Sequence, residues 1–299
     1  MAQPAAAVAA ARANIRGEVF SWLCITPLVL VLVPFFLAPL LAVIAASFFQ
    51  TDGFGGMTPA LDFSSYEEIL TSSLTFNLYW ATLKFTLLTW FFSLLIGFFV
   101  AYFLVFHVRN PLLGLGLFLL CTVPFWTSNI IRMISWIPLL GKQGLINSAL
   151  LKVGLIHQPL EFLLFSSFAV VVAYVHQLTI FMIVPIFNSM GRIDKQLVEA
   201  AVDAGASRFD VMRLIILPLS KSGIALGSIF VVSIVMGDFF VVKVMSGGGS
   251  ASVVGAFYED VGVLQYPKAA ASAVFLTAVL MVAVALILRT VDIRKEITR

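Results

Sequence analysis

Ionisable side chains are rare within the apolar stretches of this 299-residue sequence, so each one is a candidate for function. Arg132 and Asp238 carry opposite charges on different stretches, so they can either pair across a helical bundle or contact a substrate. His176 can line a polar pathway or donate an ordinary interhelical hydrogen bond. Two tryptophans offer faces that can hold an ammonium group. The predicted pathway residues are Trp126, Asn129, Arg132, Trp136, His176 and Asp238.

The sequence contains none of the patterns that would support covalent or nucleotide chemistry. It lacks the Gly-x-x-x-x-Gly-Lys-Ser/Thr loop that holds phosphate groups, and no Ser/His/Asp set or cluster of metal ligands is recognisable. Cys24 and Cys121 both lie in apolar runs, which is typical of buried small side chains. We therefore predict a chain that is not an enzyme and binds no metal or cofactor. Any energy source must be another subunit.

The composition indicates an integral membrane protein. Apolar residues make up 61% of the chain, charged residues only 11%, and the mean hydropathy is +1.06; soluble domains average about 25% charged residues. The long unbroken apolar runs exclude an alternating β-barrel pattern. Lys and Arg are dispersed and the net charge is only +3, which argues against nucleic-acid binding.

Apolar windows predict an all-α fold with six transmembrane helices, because about 20 helical residues are needed to cross the hydrocarbon core. The predicted spans are residues 22–49, 79–107, 113–138, 162–190, 215–242 and 269–289. They form one transmembrane domain over residues 22–290, preceded by a segment at 1–21 and followed by a tail at 291–299. A polar loop at 191–214 separates the fourth and fifth spans.

The distribution of Lys and Arg predicts the orientation of these spans. Four lie in the segments on one side of the membrane and twelve on the other, the twelve being Arg12, Arg16, Arg109, Arg192, Lys195, Arg208, Arg213, Lys221, Arg289, Arg294, Lys295 and Arg299. Cytoplasmic loops carry the excess of positive charge. We therefore expect both termini and the loop at 191–214 to be cytoplasmic.

The loop at 191–214 has the pattern of two short helices joined by a sharp bend. Asp194 can cap the first helix, and Gly205 can end it in a left-handed conformation. Ser207 and Asp210 have the spacing of a capping box, which predicts the start of a second helix. The result would be a rigid elbow that projects from the bundle and offers a surface for another protein.

This elbow resembles the "EAA" loop of the permease subunits of type I ABC importers. The family pattern is Glu-Ala-Ala, three residues, Gly, nine residues and Ile-x-Leu-Pro, and it is matched by Glu199, Ala200, Ala201, Gly205, Ile215, Leu217 and Pro218. One departure is Ser222, where relatives often have proline; this affects helix geometry more than the assignment.

The resemblance implies the type I importer permease fold and a set of partners. The chain would form the substrate pathway with a second permease, which would be a different chain, in the inner membrane. Its other partners would be two ATPase subunits that bind ATP and Mg²⁺ and an extracytoplasmic binding protein. The elbow would be the coupling helix that docks on the ATPase. The residues assigned to that contact are Glu199, Ala200, Ala201, Asp203, Gly205 and Ala206.

Three further stretches resemble the B-type permeases of spermidine/putrescine importers. They are Pro124–Arg132 continuing to Trp136, Leu140–Asn147, and Gly237–Phe240 leading to Ser246–Gly249, where Asp238 replaces the glutamate that relatives more often have. The resemblance implies a polyamine or related small amine as substrate. An opine, an aminophosphonate or another small solute is the alternative within the same class, and a secondary transporter is the alternative outside it.

Overall fold

The computed structural model describes residues 25–52 and 55–290. The chain divides into two compact units, one formed by Met1–Glu67 with Asp260–Val274 and the other by Glu68–Glu259 with Phe275–Arg299. The segments predicted at residues 1–21 and 291–299 lie outside the described residues.

The described residues are mostly helical. In chain order the helices are α1 (Ile25–Ala46, with a π-helical turn at Val33–Leu37), α2 (Ser64–Thr71), α3 (Ser73–Phe106), α4 (Pro111–Thr122), α5 (Asn129–Ile134), α6 (Ile137–Leu140), α7 (Leu145–Lys152), α8 (Ser167–Met190), α9 (Lys195–Asp203), α10 (Arg208–Leu219, with a π-helical turn at Met212–Ile216), α11 (Lys221–Gly237), α12 (Phe240–Met245), α13 (Val253–Gly262) and α14 (Tyr266–Arg289). Short 3-10 turns lie at Val123–Trp126 and Glu161–Leu163.

The first unit contains a small hairpin after α1. Strands β1 (Gln50–Thr51) and β2 (Met57–Thr58) pair antiparallel, with Gln50 opposite Thr58. The Asp62 carboxylate accepts the Ser64 backbone N–H at 2.9 Å at the start of α2. This hydrogen bond satisfies a donor that the first helical turn would otherwise leave free.

The second unit is built on three long helices, α3, α8 and α11, which pack against one another. The buried face of α3 consists mostly of small residues, with Phe85 and Leu104 as its two large side chains; the small ones are Thr82, Thr86, Thr89, Ser93, Gly97 and Ala101. Small side chains let helix backbones approach closely, which is how helices associate in lipid. Trp90 adds a hydrogen bond from α3 to α11, because its Nε1 donates to Ser228 Oγ at 2.8 Å.

Met182 of α8 fills the space that two glycines leave open. A Cβ atom added at Gly97 of α3 would lie 2.9 Å from Met182 Cβ, and one added at Gly227 of α11 would lie 2.7 Å from Met182 Sδ. Met182 is fully buried. The side chain therefore locks the three helices together only because both partners lack a side chain at that level.

The predicted third span, residues 113–138, is not a continuous helix. Helix α4 ends at Thr122, a 3-10 turn carries Pro124, and Thr127 is extended with ψ 151°. Proline removes a backbone donor and disfavours continuation of the helix before it. The two helical segments, Pro111–Trp126 and Asn129–Lys152, meet at 93°, so Arg132 lies beyond a break and not in the middle of a straight span.

Asn147 organises the chain that follows this break. Its side chain is fully buried, donates from Nδ2 to the carbonyls of Gly141 (3.0 Å) and Leu160 (3.2 Å), and accepts from the Leu160 N–H at 2.8 Å. The preceding turn requires glycine at position 144, where a Cβ would lie 2.7 Å from the Leu139 carbonyl oxygen. Gly144 and Asn147, on which these contacts depend, both belong to the stretch Leu140–Asn147 that was singled out in the sequence analysis.

The predicted fifth span, residues 215–242, is also bent. Helices α10 and α11 meet at 65° around Ser220, and α11 ends at Gly237. Within the described residues, four helices are long and apolar enough to cross a membrane, and the number is six if each bent pair is one span. A helical membrane protein is therefore shown, while the six-span count stays a prediction.

Candidate functional site: the helical elbow and the polar residues of the bundle

The elbow predicted from the sequence is formed by α9, a tight bend and α10. Asp194 precedes α9 and accepts the Gln196 N–H at 2.9 Å, which is the hydrogen bond of an N-cap. Glu199, Ala200 and Asp203 are exposed on the helix, whereas Ala201 and Ala206 are partly buried and pack against the hydrophobic core. Helix α9 thus presents the acids Glu199 and Asp203 on its exposed side, while Ala201 packs against the core on the other side.

Gly205 makes the bend. Its φ is +89°, in the left-handed region that side chains with a Cβ rarely adopt. The Gly205 N–H donates to Val202 O at 2.9 Å, and the Ala206 N–H donates to Ala201 O at 3.0 Å. The bend therefore satisfies carbonyl groups at the end of α9, as glycine C-caps do.

The predicted capping box at the start of α10 is confirmed. The Asp210 N–H donates to Ser207 Oγ at 3.2 Å, and the Ser207 N–H donates to Asp210 Oδ2 at 3.1 Å. The Ser207 hydroxyl and backbone N–H lower the pKa of the exposed Asp210 carboxyl. The carboxylate is thus ionised at neutral pH, where it also interacts favourably with the helix N-terminus.

A groove of about 420 Å³ separates the elbow from the end of α3. Glu199 lines it together with the basic side chains Arg109, Lys195 and Arg208. Tyr102 and Phe106 of α3 form its apolar floor. Among the described residues that line this groove, Glu199 is the only acid. It shares the groove with these basic side chains, beside helix α3.

Gly205→Val is expected to destabilise the bend of the elbow by about 1–2 kcal/mol, since a left-handed conformation costs that much for an L-residue. No atom lies within 4 Å of a Cβ added at this position, so the effect reports backbone strain and not a clash. Gly205→Asn is the matched control, because asparagine tolerates the left-handed region. The measurement is the rate at which a protease cleaves the elbow of the membrane-inserted chain. Equal cleavage rates for the valine and asparagine variants would contradict a required bend.

The structure brings two of the predicted pathway residues together. The Trp136 indole donates from Nε1 to His176 Nδ1 at 3.4 Å, and the two rings meet edge to face with centroids 5.4 Å apart. Arg132 makes no hydrogen bond to either of them in the described part of the chain. The Nε and Nη1 atoms of Arg132 are enclosed, and neither has a hydrogen-bond partner among the described residues.

Asp238 lies elsewhere and has other partners. Its Oδ1 accepts the Tyr174 hydroxyl at 3.1 Å and the Val241 N–H at 2.9 Å. Tyr174 is fully buried on α8. Asp238 thus terminates α11, starts the turn into α12 and connects both to α8. In residues 25–52 and 55–290 it makes no ion pair with Arg132, so the pairing considered from the sequence is absent.

The two remaining candidates lie near the break after α4. Trp126 is 81% exposed, and it lines a pocket with Phe181 and Phe230. Asn129 is partly buried, and its Oδ1 has no hydrogen-bond partner within the described part of the chain. Neither contacts Asp238 or His176 through a hydrogen bond in the structure described. The predicted pathway is therefore a series of separate polar and aromatic positions.

Two features of this region were missed from the sequence. Tyr174 sits two residues before His176 in an apolar run, and nothing in its spacing indicated a bond to Asp238. The second missed feature is the pair Gly223 and Gly227. These residues form a Gly-x-x-x-Gly pattern, and this signal could have been found in the sequence because it indicates close helix packing in membranes. A Cβ at Gly223 would lie 2.4 Å from the Pro185 carbonyl oxygen.

Comparison with known families decides the class of the protein. Residues 93–296 match the family described as "Binding-protein-dependent transport system inner membrane component". The match covers more than half of the chain and includes the elbow and the broken helices. The chain belongs to this family. It is accordingly a multi-helix inner-membrane protein and a permease subunit of an ABC importer.

Curated relatives support the same class. The chain is 33% identical over 253 residues to the spermidine/putrescine transport system permease protein PotB of Escherichia coli (strain K12), covering 83% of this chain and 90% of that protein. It is 32% identical over 237 residues to PotB of Haemophilus influenzae (strain ATCC 51907 / DSM 11121 / KW20 / Rd), covering 79% and 78%. These similarities place this chain near the polyamine permeases within the family.

A solved structure has the same fold. A chain of a bacterial ABC transporter involved in the import of the acidic polysaccharide alginate superposes with a TM-score of 0.73, at 17% identity, over 93% of this chain and 96% of that chain. A second alginate transporter structure, in complex with a pentasaccharide-bound periplasmic protein, gives a TM-score of 0.72 at 16% identity. At such low identity the agreement concerns the fold alone.

Proposed function

We propose that this permease forms half of the membrane pathway of an ATP-driven importer for a polyamine or a related small amine. The observation that carries the substrate class is the 33% identity to a spermidine/putrescine permease over 90% of that protein's length. Both termini and the elbow face the cytoplasm in this proposal, because the twelve basic residues lie on that side.

The mechanism is alternating access driven from the elbow. A binding protein delivers the amine to the outer face, and ATP binding closes two ATPase subunits that grip the exposed side of α9. Because α9 is held rigidly by the Asp194 cap and the Gly205 bend, the movement is transmitted to α10 and α11. Hydrolysis of ATP then returns the pathway to its starting state.

Within the membrane, Asp238 supplies the negative charge that a cationic amine needs. A bare ammonium is costly to bury unless it is paired or placed over a ring. The two hydrogen bonds to Asp238 go to a single oxygen, Oδ1, so the charge is held in place without being neutralised by a cation of the described residues. Exposed aromatic faces such as Trp126 offer weaker intermediate sites.

Asp238→Asn is expected to lower amine uptake about 10- to 150-fold, because a charge-assisted hydrogen bond contributes about 1.5–3 kcal/mol. Asparagine keeps the Oδ1 atom that accepts from Tyr174 and Val241, so the protein level should not change. Tyr174→Phe is the control, since it removes one of these hydrogen bonds and leaves the charge. Unchanged uptake by the asparagine variant at an unchanged protein level would exclude Asp238 from the pathway.

A second candidate substrate class rests on Arg132. Its unpartnered donors suit an acidic group better than an ammonium, which favours a solute carrying both charges, such as an opine or an aminophosphonate. The test is uptake of labelled spermidine, putrescine, an opine and an aminophosphonate, each measured separately in cells that express the complete importer. Uptake of the polyamines alone supports the first proposal, and uptake of the acidic amines alone replaces it with the second.

A further inference from the structure

A membrane-facing cavity of about 460 Å³ lies between α3, α11 and α14. Leu83, Leu87 and Leu286 border it and are 40%, 52% and 57% exposed. Val232 and Met236 close its inner wall. Its volume falls in the range of roughly 300–1,000 Å³ that is typical of sites for small molecules. Because it opens between membrane helices, an occupant reaches it from the lipid.

The polar groups in the wall are already satisfied. Trp90 Nε1 donates to Ser228 Oγ, and Ser228 Oγ donates to the Ile224 carbonyl at 2.7 Å. The Thr86 hydroxyl donates to the Thr82 carbonyl at 2.8 Å. The body of the cavity therefore offers only apolar contact to a ligand.

Among the described residues, a single charged side chain lines the cavity, and it is positive. Lys221 is exposed at the first residue of α11, and Thr290, which directly follows α14, lines the same cavity. The Lys221 ammonium has no ion pair with any of the described residues, and none of the cavity-lining residues that the structure describes is Asp or Glu. An apolar body with one free cation at its end is complementary to an acyl chain attached to an anionic headgroup.

We propose that this cavity binds an anionic phospholipid, with an acyl chain against α3 and α14 and the phosphate at Lys221. Basic pockets between membrane helices are known to hold anionic headgroups. Assignment to the cytoplasmic leaflet rests on the proposed function, because only the proposed orientation puts Lys221 on that side. The apolar lining and Lys221, on which lipid binding depends, are the same whichever substrate is transported.

The position of Lys221 gives the lipid a route to influence transport. Lys221 directly follows Ser220, around which α10 and α11 bend by 65°, and α10 leads to the elbow. A headgroup bound to Lys221 contacts the start of α11 and stabilises one angle of this bend over others. We therefore expect the coupled activity to rise with the fraction of anionic lipid.

Native mass spectrometry of the purified full-length chain tests the binding. The probe is an equimolar mixture of phosphatidylglycerol and phosphatidylcholine with the same acyl chains. Lys221→Gln should lower retained phosphatidylglycerol about fivefold, the effect expected of one lysine near an anionic surface, and should leave phosphatidylcholine unchanged. The matched control is Lys152→Gln, which removes an exposed lysine outside the cavity and should have no effect.

Two results would overturn the proposal. One is equal phosphatidylglycerol retention by the wild-type chain and the Lys221→Gln variant. The other is specific cross-linking of an Ala283→Cys side chain to a second permease, which would make the cavity a protein interface. Because Lys221 is exposed, its substitution should not prevent folding, and lipid retention is measured without transport. Failure here is therefore distinguishable from failure of the proposed function.

Discussion

Replacing Glu199 by lysine is expected to abolish ATP-driven uptake while the chain still inserts into the membrane. Glu199 is the exposed acid at the middle of α9 and lines a groove with Arg109, Lys195 and Arg208. The substitution makes this groove uniformly basic. A like-charge contact at an interface costs several kcal/mol, so the expected loss of coupled uptake is about 100-fold or more.

The control for this prediction is Gln196→Lys. It adds a positive charge to the same exposed helix but leaves the Glu199 carboxylate in place. Uptake and the amount of membrane-inserted chain are measured for both variants, together with co-purification of the ATPase subunits. Loss of uptake and of co-purification in the Glu199 variant alone supports docking at this acid. Normal uptake by Glu199→Lys would remove it from the proposed contact.

Gly223→Ala is expected to lower the stability of the bundle strongly. The added Cβ would lie 2.4 Å from the Pro185 carbonyl oxygen and 2.6 Å from Ser189 Cβ, so α11 must move away from α8. The first contact is backbone, which cannot rotate aside. Overpacking of this kind costs typically about 1–3 kcal/mol, and the expected result is a lower melting temperature and less chain in the membrane.

Gly116→Ala is the matched control on α4. No heavy atom lies within 4 Å of a Cβ added there, so the same chemical change should be neutral or slightly stabilising, given the higher helix propensity of alanine. Thermal unfolding of the two purified variants is compared in one detergent. Equal melting temperatures would show that α8 and α11 do not pack as closely as the structure indicates.

The elbow was the part of the molecule that could be predicted best. Its conformation is set by local hydrogen bonds and backbone preferences: Asp194 caps the next residues, Gly205 adopts a positive φ, and Ser207 pairs with Asp210 three positions later. Each of these interactions joins residues that are close in sequence. Composition in the same way predicted a helical membrane protein.

The interior of the bundle could not be predicted to the same degree. The break near Thr127 depends on how the chain after Pro124 packs, and a hydropathy window averages over it. Tyr174 and Asp238 are far apart in sequence, so only the packing of α8 against α11 and α12 shows that they meet. In the described residues, the same packing places Asp238 against Tyr174. Asp238 therefore does not pair with Arg132, although their opposite charges suggested such a pair.

The central claim is that an amine delivered outside stimulates ATP hydrolysis through the elbow. The most direct measurement is ATP hydrolysis by the complete importer in lipid, with the binding protein and spermidine, putrescine, an opine or an aminophosphonate, for the wild-type and Glu199→Lys chains. We predict stimulation by a polyamine in the wild type and its loss in the variant. Equal stimulation of both chains, or none by any of these amines in an assembled complex, would contradict the account.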